Sequence, residues 1–221
     1  MTTSESYVQR YTSDSNLKKN ILVNTYKNHY KEGEIKFCNL KRIGISLGDM
    51  CHIKGKILNL GLTYLKKDNG LTYPFDLCVC KFDSLIECLE DKFENFHDYK
   101  LKDYSWEKNR IINRYNISFN HESPYHKNVD NVFLFESEKW KGGQFHFVDN
   151  KFKNMEERYK NRINNFMKTI KEYEFITFFY GSFNDNNCTL NDTQINRLSN
   201  ALLNIGCTKF EILNLKQFIH N

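Results

Sequence analysis

The sequence predicts an α/β domain with a mostly parallel or mixed central sheet flanked by helices. Three observations carry that prediction. A β-branched run, Ile43-Gly44-Ile45-Ser46-Leu47, reaches Gly48 and opens into a helical pattern, and a second strand–helix–strand unit closes the chain. No internal repeat or low-complexity linker divides the two. One domain is expected over residues 39–221, with residues 1–38 as a helical or disordered N-terminal extension.

In chain order, Met1 to Asn16 is polar and rich in Ser and Thr, and is expected to fray. Leu17 to Lys31 carries a loose helical spacing through Leu17, Ile21 and Tyr26, so an accessory helix is expected. Arg42 to Leu47 reads as a strand and Met50 to Leu60 as a helix stopped by Gly61. Leu71 to Val79 reads as a short extended piece, because Pro74 biases Tyr73 away from helix. Ser84 and Glu87 form a capping-box pattern, and Leu85, Leu89, Phe93 and Phe96 share one face of the helix that follows.

The segment from Tyr99 to Arg114, charged and aromatic, carries no clear period. Asn116 to Asn120 reads as a short strand, and Val132–Phe135 with Gln144–Val148 as a hairpin across Gly142-Gly143. Met155, Tyr159, Ile163, Phe166 and Ile170 keep one face over more than four turns, which makes 154–171 a scaffold helix. The closing unit is a strand from Phe175 to Tyr180, a helix from Asp192 to Asn204 begun by Asn191, and a strand from Lys209 to Leu213.

Composition narrows the function classes. With 18 Phe and 13 Tyr in 221 residues the chain can bury a sheet. Its single alanine and abundant Asn, Lys, Ile and Phe match the codon bias of an AT-rich genome, so Lys and Asn clusters carry little information by themselves. The net charge of +5 is spread among interleaved acids and bases, and nucleic acid is not an expected partner. Seven cysteines, an odd number without a disulfide framework, fit a reducing, cytoplasmic compartment. The first residues lack an apolar core and no run approaches the length of a membrane span, so no membrane partner is expected. The oligomeric state is open.

Chemistry concentrates at Cys51. It follows the strand at the point where α/β proteins build sites, and the start of a helix favours a thiolate through its unpaired N–H groups and dipole. Ile53, Ile57 and Leu60 mark the buried stripe of that helix, and Cys51 falls roughly opposite it at about 100° per residue. A thiol nucleophile needs a base. Among the seven histidines, His121 follows a strand-like piece; His126 and His146 are its rivals. Asp76, Glu122 or Asp49 could orient the imidazole. Cys78, Cys80 and Cys88 lack the spacing of a zinc site, and neither metal nor cofactor is expected.

The residues Ile45-Ser46-Leu47-Gly48-Asp49-Met50-Cys51, then Tyr73-Pro74-Phe75-Asp76, then Leu89 to Phe96 and Asn116 to His121, resemble the papain-like cysteine peptidase family of bacteria and large DNA viruses. Arg158 to Ile163 is similar to that family's basic helix, whereas Leu77 stands where the family usually has Trp. The resemblance implies a hydrolase with Cys51 as nucleophile, His121 as base and Asp76 in support. A Cys51 thiolate would attack the carbonyl of a peptide, protein or other acyl substrate, backbone N–H groups around Gly48, Asp49 and Met50 would hold the oxyanion, and water or another acceptor would resolve the thioester. The alternatives are an acyltransferase using the same pair, a glycan- or nucleotide-processing enzyme, and a non-catalytic interaction protein using the aromatic surface around Trp106, Tyr125 and Trp140.

Overall fold

In a computed structural model of the chain, the described residues are 8–12, 21–23, 42–48, 52–59, 61–64, 70–125, 143–181 and 190–215. Five strands form the main sheet. They are β1 (Val8–Thr12), β2 (Ile21–Val23), β3 (Arg42–Ser46), β6 (Phe175–Tyr180) and β7 (Phe210–Leu215), in the order β2-β1-β7-β6-β3. Strands β3, β6 and β7 run parallel, whereas β1 is antiparallel to β7 and β2 is antiparallel to β1. The mixed sheet and flanking helices are those of a single α/β domain. Strands at 8–12 and 21–23 stand where the sequence suggested fraying and a helix. The run at 8–12 pairs with β7 and the run at 21–23 pairs with β1, and the pairing with β7 is a long-range one that local spacing does not report.

The sheet has two unlike faces. Ile43, Ile45, Leu47, Ile176, Phe178, Phe210 and Ile212 point into the main core. Against them pack α2 (Phe82–Glu90), α3 (Asp149–Glu172) and α4 (Asp192–Asn204) through residues such as Leu85, Leu89, Phe166, Leu198 and Leu202. On the other face α1 (His52–Asn59) buries Ile53 and Ile57 with Leu62 against Phe179. This close approach depends on Gly44, where an added Cβ would lie 2.5 Å from Ile57 Cγ2.

The closing βαβ unit matches its sequence signals. Asn191 accepts a hydrogen bond from the Gln194 N–H while the Gln194 side chain accepts from the Asn191 N–H, a reciprocal capping box, and Gly206 follows the helix at φ +93°. Elsewhere the local signals differ from the outcome. Helix α2 begins at Phe82, so Ser84 lies inside it and caps nothing; its start is Lys81, which makes no side-chain cap. Phe93 and Phe96 lie beyond the helix in turns, with Lys92 and Phe93 at positive φ.

Residues 144–148, expected as the second strand of a hairpin, lie instead in a 3-10 turn (Gly143–Phe145) and the turn that leads into α3; the partner segment 132–135 lies outside the described residues. Ser118 makes only isolated bridges, to Val79 and Ile112, in place of the strand expected at 116–120. The unassigned segment is a separate antiparallel pair, β4 (Tyr99–Lys102) with β5 (Arg110–Asn113).

Candidate active site

The parallel strands β3 and β6 end side by side. The Leu47 N–H donates to the Phe179 carbonyl at 2.8 Å, and a Cβ on Gly48 would lie 2.6 Å from the Gly181 carbonyl oxygen and 2.5 Å from Ile53 Cδ1. Only glycine lets the end of β3, the end of β6 and the first turn of α1 meet this closely. Asp49, Met50 and Cys51, the links from Gly48 to His52, lie outside the described residues, as does His126.

Three residues after Cys51, Lys54 extends from α1 to the segment that carries Asp76. Lys54 Nζ lies 3.1 Å from Asp76 Oδ2 and also donates to Thr63 Oγ1 and the Leu71 carbonyl. Asp76 is fully buried, and its Oδ2 accepts the Tyr73 N–H at 2.9 Å, which closes the Tyr-Pro-Phe-Asp turn. Burial pushes its carboxyl above the usual range, against the pull of Lys54. Its other oxygen has no hydrogen-bond partner among the described residues. Asp76 therefore joins a turn to α1, and its partners are an ammonium and a backbone N–H.

His121 lies in a 3-10 turn, Asn120–Glu122, that is clamped on every side. The Phe119 N–H donates to the Ile111 carbonyl, Ser123 Oγ accepts from the Ile111 N–H at 2.9 Å, and the same hydroxyl donates to the Phe119 carbonyl at 2.7 Å. Glu122 is fully buried; Arg158 approaches its carboxylate at 3.0 Å and Arg162 at 3.6 Å. Both approach at ion-pair distance without an aligned hydrogen bond, so their attraction is chiefly Coulombic. Burial opposes the charge on Arg162, but Tyr159, Glu122 and Asp76 outweigh it and raise its pKa. The imidazole of His121 is partly exposed on this fixed turn.

One helix supports both turns. Thr169 Oγ1 meets the Tyr73 hydroxyl at 3.2 Å, Asn165 donates to the Thr72 carbonyl, and Phe166 packs edge-on against Tyr73 and Phe75. One to two turns nearer the start of α3, Arg158 and Arg162 hold Glu122 while Tyr159 packs on Phe119 at 4.8 Å. The buried face of α3 thus runs Met155, Tyr159, Arg162, Phe166, Thr169 and Ile170, with Arg162 in the place that periodicity assigned to Ile163. Sequence reasoning missed Lys54 and Arg162. The available signal was a cation three residues after Cys51, and another in step with Met155 and Tyr159.

Among the described residues, His97, His146 and four thiols have other surroundings. His97 hydrogen-bonds the Tyr99 hydroxyl, and burial lowers its pKa; Asn154 holds the His146 carbonyl. Cys78, Cys80, Cys88 and Cys207 are buried thiols. Burial pushes Cys88 well up and Cys207 to about 12, so neither supplies thiolate at neutral pH. Among the described residues no group of three or more His, Cys, Asp or Glu is arranged to hold a metal, and no helix is long and apolar enough to cross a membrane.

A family model described as "Putative papain-like cysteine peptidase" matches residues 42–214. The match begins at β3 and ends in β7, so it takes in both turns and the helix that supports them. Comparison with curated proteins and with solved structures gives no match.

Proposed function

The chain belongs to the family described as "Putative papain-like cysteine peptidase", and on that ground we propose that it cleaves peptides or proteins by acyl transfer through Cys51, with His121 as its base. The observation that carries the reading is the buried face of α3, which braces the Asp76 turn and the His121 turn together through Arg162, Phe166 and Thr169. The buried arginine that faces Glu122, next to His121, supports reading this turn as a fixed mount for the imidazole. Such rigidity is what proton transfer at hydrogen-bond distance requires.

In the proposed mechanism His121 takes the Cys51 proton, and the thiolate adds to the substrate carbonyl. N–H groups in the link from Gly48 through Asp49 and Met50 to Cys51 hold the oxyanion. His121 then protonates the leaving amine, and water or another acceptor releases the acyl group from sulfur. Asp76 acts in support through Lys54, which comes three residues after Cys51 in the sequence and joins α1 to the same buried charge network. Glu122 acts in support as the anchor of the histidine turn.

The four buried thiols leave Cys38, Cys51 and Cys188 as the other cysteines, and Cys51 alone directly precedes a helix after a parallel strand. Incubation with a mixed peptide library, read by mass spectrometry, tests the proposal. Cleavage is expected for the native chain and not for Cys51→Ala or His121→Ala; cleavage that survives Cys51→Ala would overturn it.

A further inference from the structure

The β4–β5 hairpin carries a pattern that the family match does not absorb. Lys100, Lys102, Tyr104, Trp106, Lys108 and Arg110 alternate with other residues through strand, loop and strand. The register pairs Lys102 with Arg110 and Lys100 with Ile112, so Lys100, Lys102 and Arg110 share one face of the hairpin. The loop is held closed by reciprocal backbone hydrogen bonds between Tyr104 and Glu107 and by Asp103, whose Oδ1 accepts the Asn109 N–H at 2.8 Å.

At the tip the side chains form a stack. The Arg110 guanidinium lies 5.2 Å from the centre of the Tyr104 ring and Lys102 Nζ 5.1 Å from it, and Trp106 stacks on Tyr104 with centroids 5.0 Å apart and planes inclined by 29°. Trp106 is 65% exposed, the largest aromatic surface of the hairpin. Along residues 98–110 the cations Lys100, Lys102, Lys108 and Arg110 stand against the acids Asp98, Asp103 and Glu107. Glu107 pairs with Arg110 and Asp103 is held by Asn109, while Lys100 and Lys108 are exposed and make no ion pair among the described residues.

We propose that this hairpin tip binds single-stranded nucleic acid, with a base stacked on Trp106 and phosphates held by Lys100, Lys102 and Lys108. The exposed indole extends an existing stack of planar groups, and a base is the planar group that arrives attached to an anionic chain. An acidic peptide would satisfy the lysines and leave the indole without a matching partner. The site is independent of the proposed Cys51 chemistry.

The test is the anisotropy of a fluorescein-labelled oligothymidine titrated with the full chain, with an oligouridine of the same length alongside. Binding is expected, with a log–log salt slope of about −2 for three phosphate contacts on a single strand. Trp106→Ala is expected to weaken it by about tenfold or more, and the triple variant Lys100→Glu, Lys102→Glu, Lys108→Glu to abolish it. In a Trp140→Phe background, emission from Trp106 is expected to be quenched on binding. Positions 100, 102, 106 and 108 are on an exposed hairpin, and circular dichroism is the check that each variant folds. No binding at low salt, affinity unchanged in Trp106→Ala, equal displacement by polyglutamate, or binding only to phosphatidylserine vesicles would each overturn the proposal.

Discussion

The closing βαβ unit and the segment from 70 to 125 are built by opposite means. In the former, each element is announced by its own residues: apolar-rich strands, a reciprocal cap at Asn191 and a glycine at 206. In the latter, turns at 73–76 and 119–123 are held by partners far along the chain, through Thr169, Arg162, Arg158 and Lys54. The first unit is stabilised mostly by apolar burial that tolerates small changes. The second depends on buried charges that destabilise when one partner is removed. Regular structure provides the platform, and the irregular segment beside it carries the candidate chemistry.

The contrast can be broken most sharply at Arg162. Arg162→Ala leaves Glu122 buried with Arg158 as its remaining cation and is expected to cost about 3–5 kcal/mol. Thermal unfolding should fall by about 10 °C or more. Combining Arg162→Met with Glu122→Gln should recover much of the loss, because neither buried charge is then stranded; a double variant no better than Arg162→Ala would show that packing matters more than charge. Gly48→Ala, where β3 meets Gly181, should cost about 2 kcal/mol, since two of the three nearest atoms are the backbone O and N of Gly181, which cannot turn aside as Ile53 Cδ1 can. Gly55, whose Cβ position is open, is its control: Ala there should stabilise the helix slightly. The smallest effect is expected from Asn191→Ala, about 1 kcal/mol by denaturant titration, for loss of a single local cap.

How much the sequence disclosed follows the same division. The α/β class, β3, β6, α4 and the scaffold role of α3 were legible, because period and caps are local. The hairpin expected at 144–148 failed because alternation in Gln144-Phe145-His146-Phe147-Val148 is shared by a 3-10 turn that buries Phe147 and half-buries Val148. Strands β1 and β2 were illegible because their stability lies in pairing with β7 and with each other. Asp76 and His121 could be singled out, whereas their supports could not: Lys54 and Arg162 read as ordinary surface cations until the fold half-buries Lys54 and buries Arg162 beside carboxylates. A cation in step with an apolar stripe is the one local trace of such an arrangement.

The central claim is that Cys51 is activated by His121. Its most direct test is the rate of alkylation of each cysteine by a small electrophile across pH, read by peptide mass spectrometry in the native chain and in His121→Ala. The account predicts that Cys51 reacts at pH about 6, ahead of the other six cysteines, and that this advantage disappears in the variant. If Cys51 titrates as an ordinary thiol near its reference pKa of about 8.5, or stays unreactive until the chain unfolds, the Cys–His reading is contradicted.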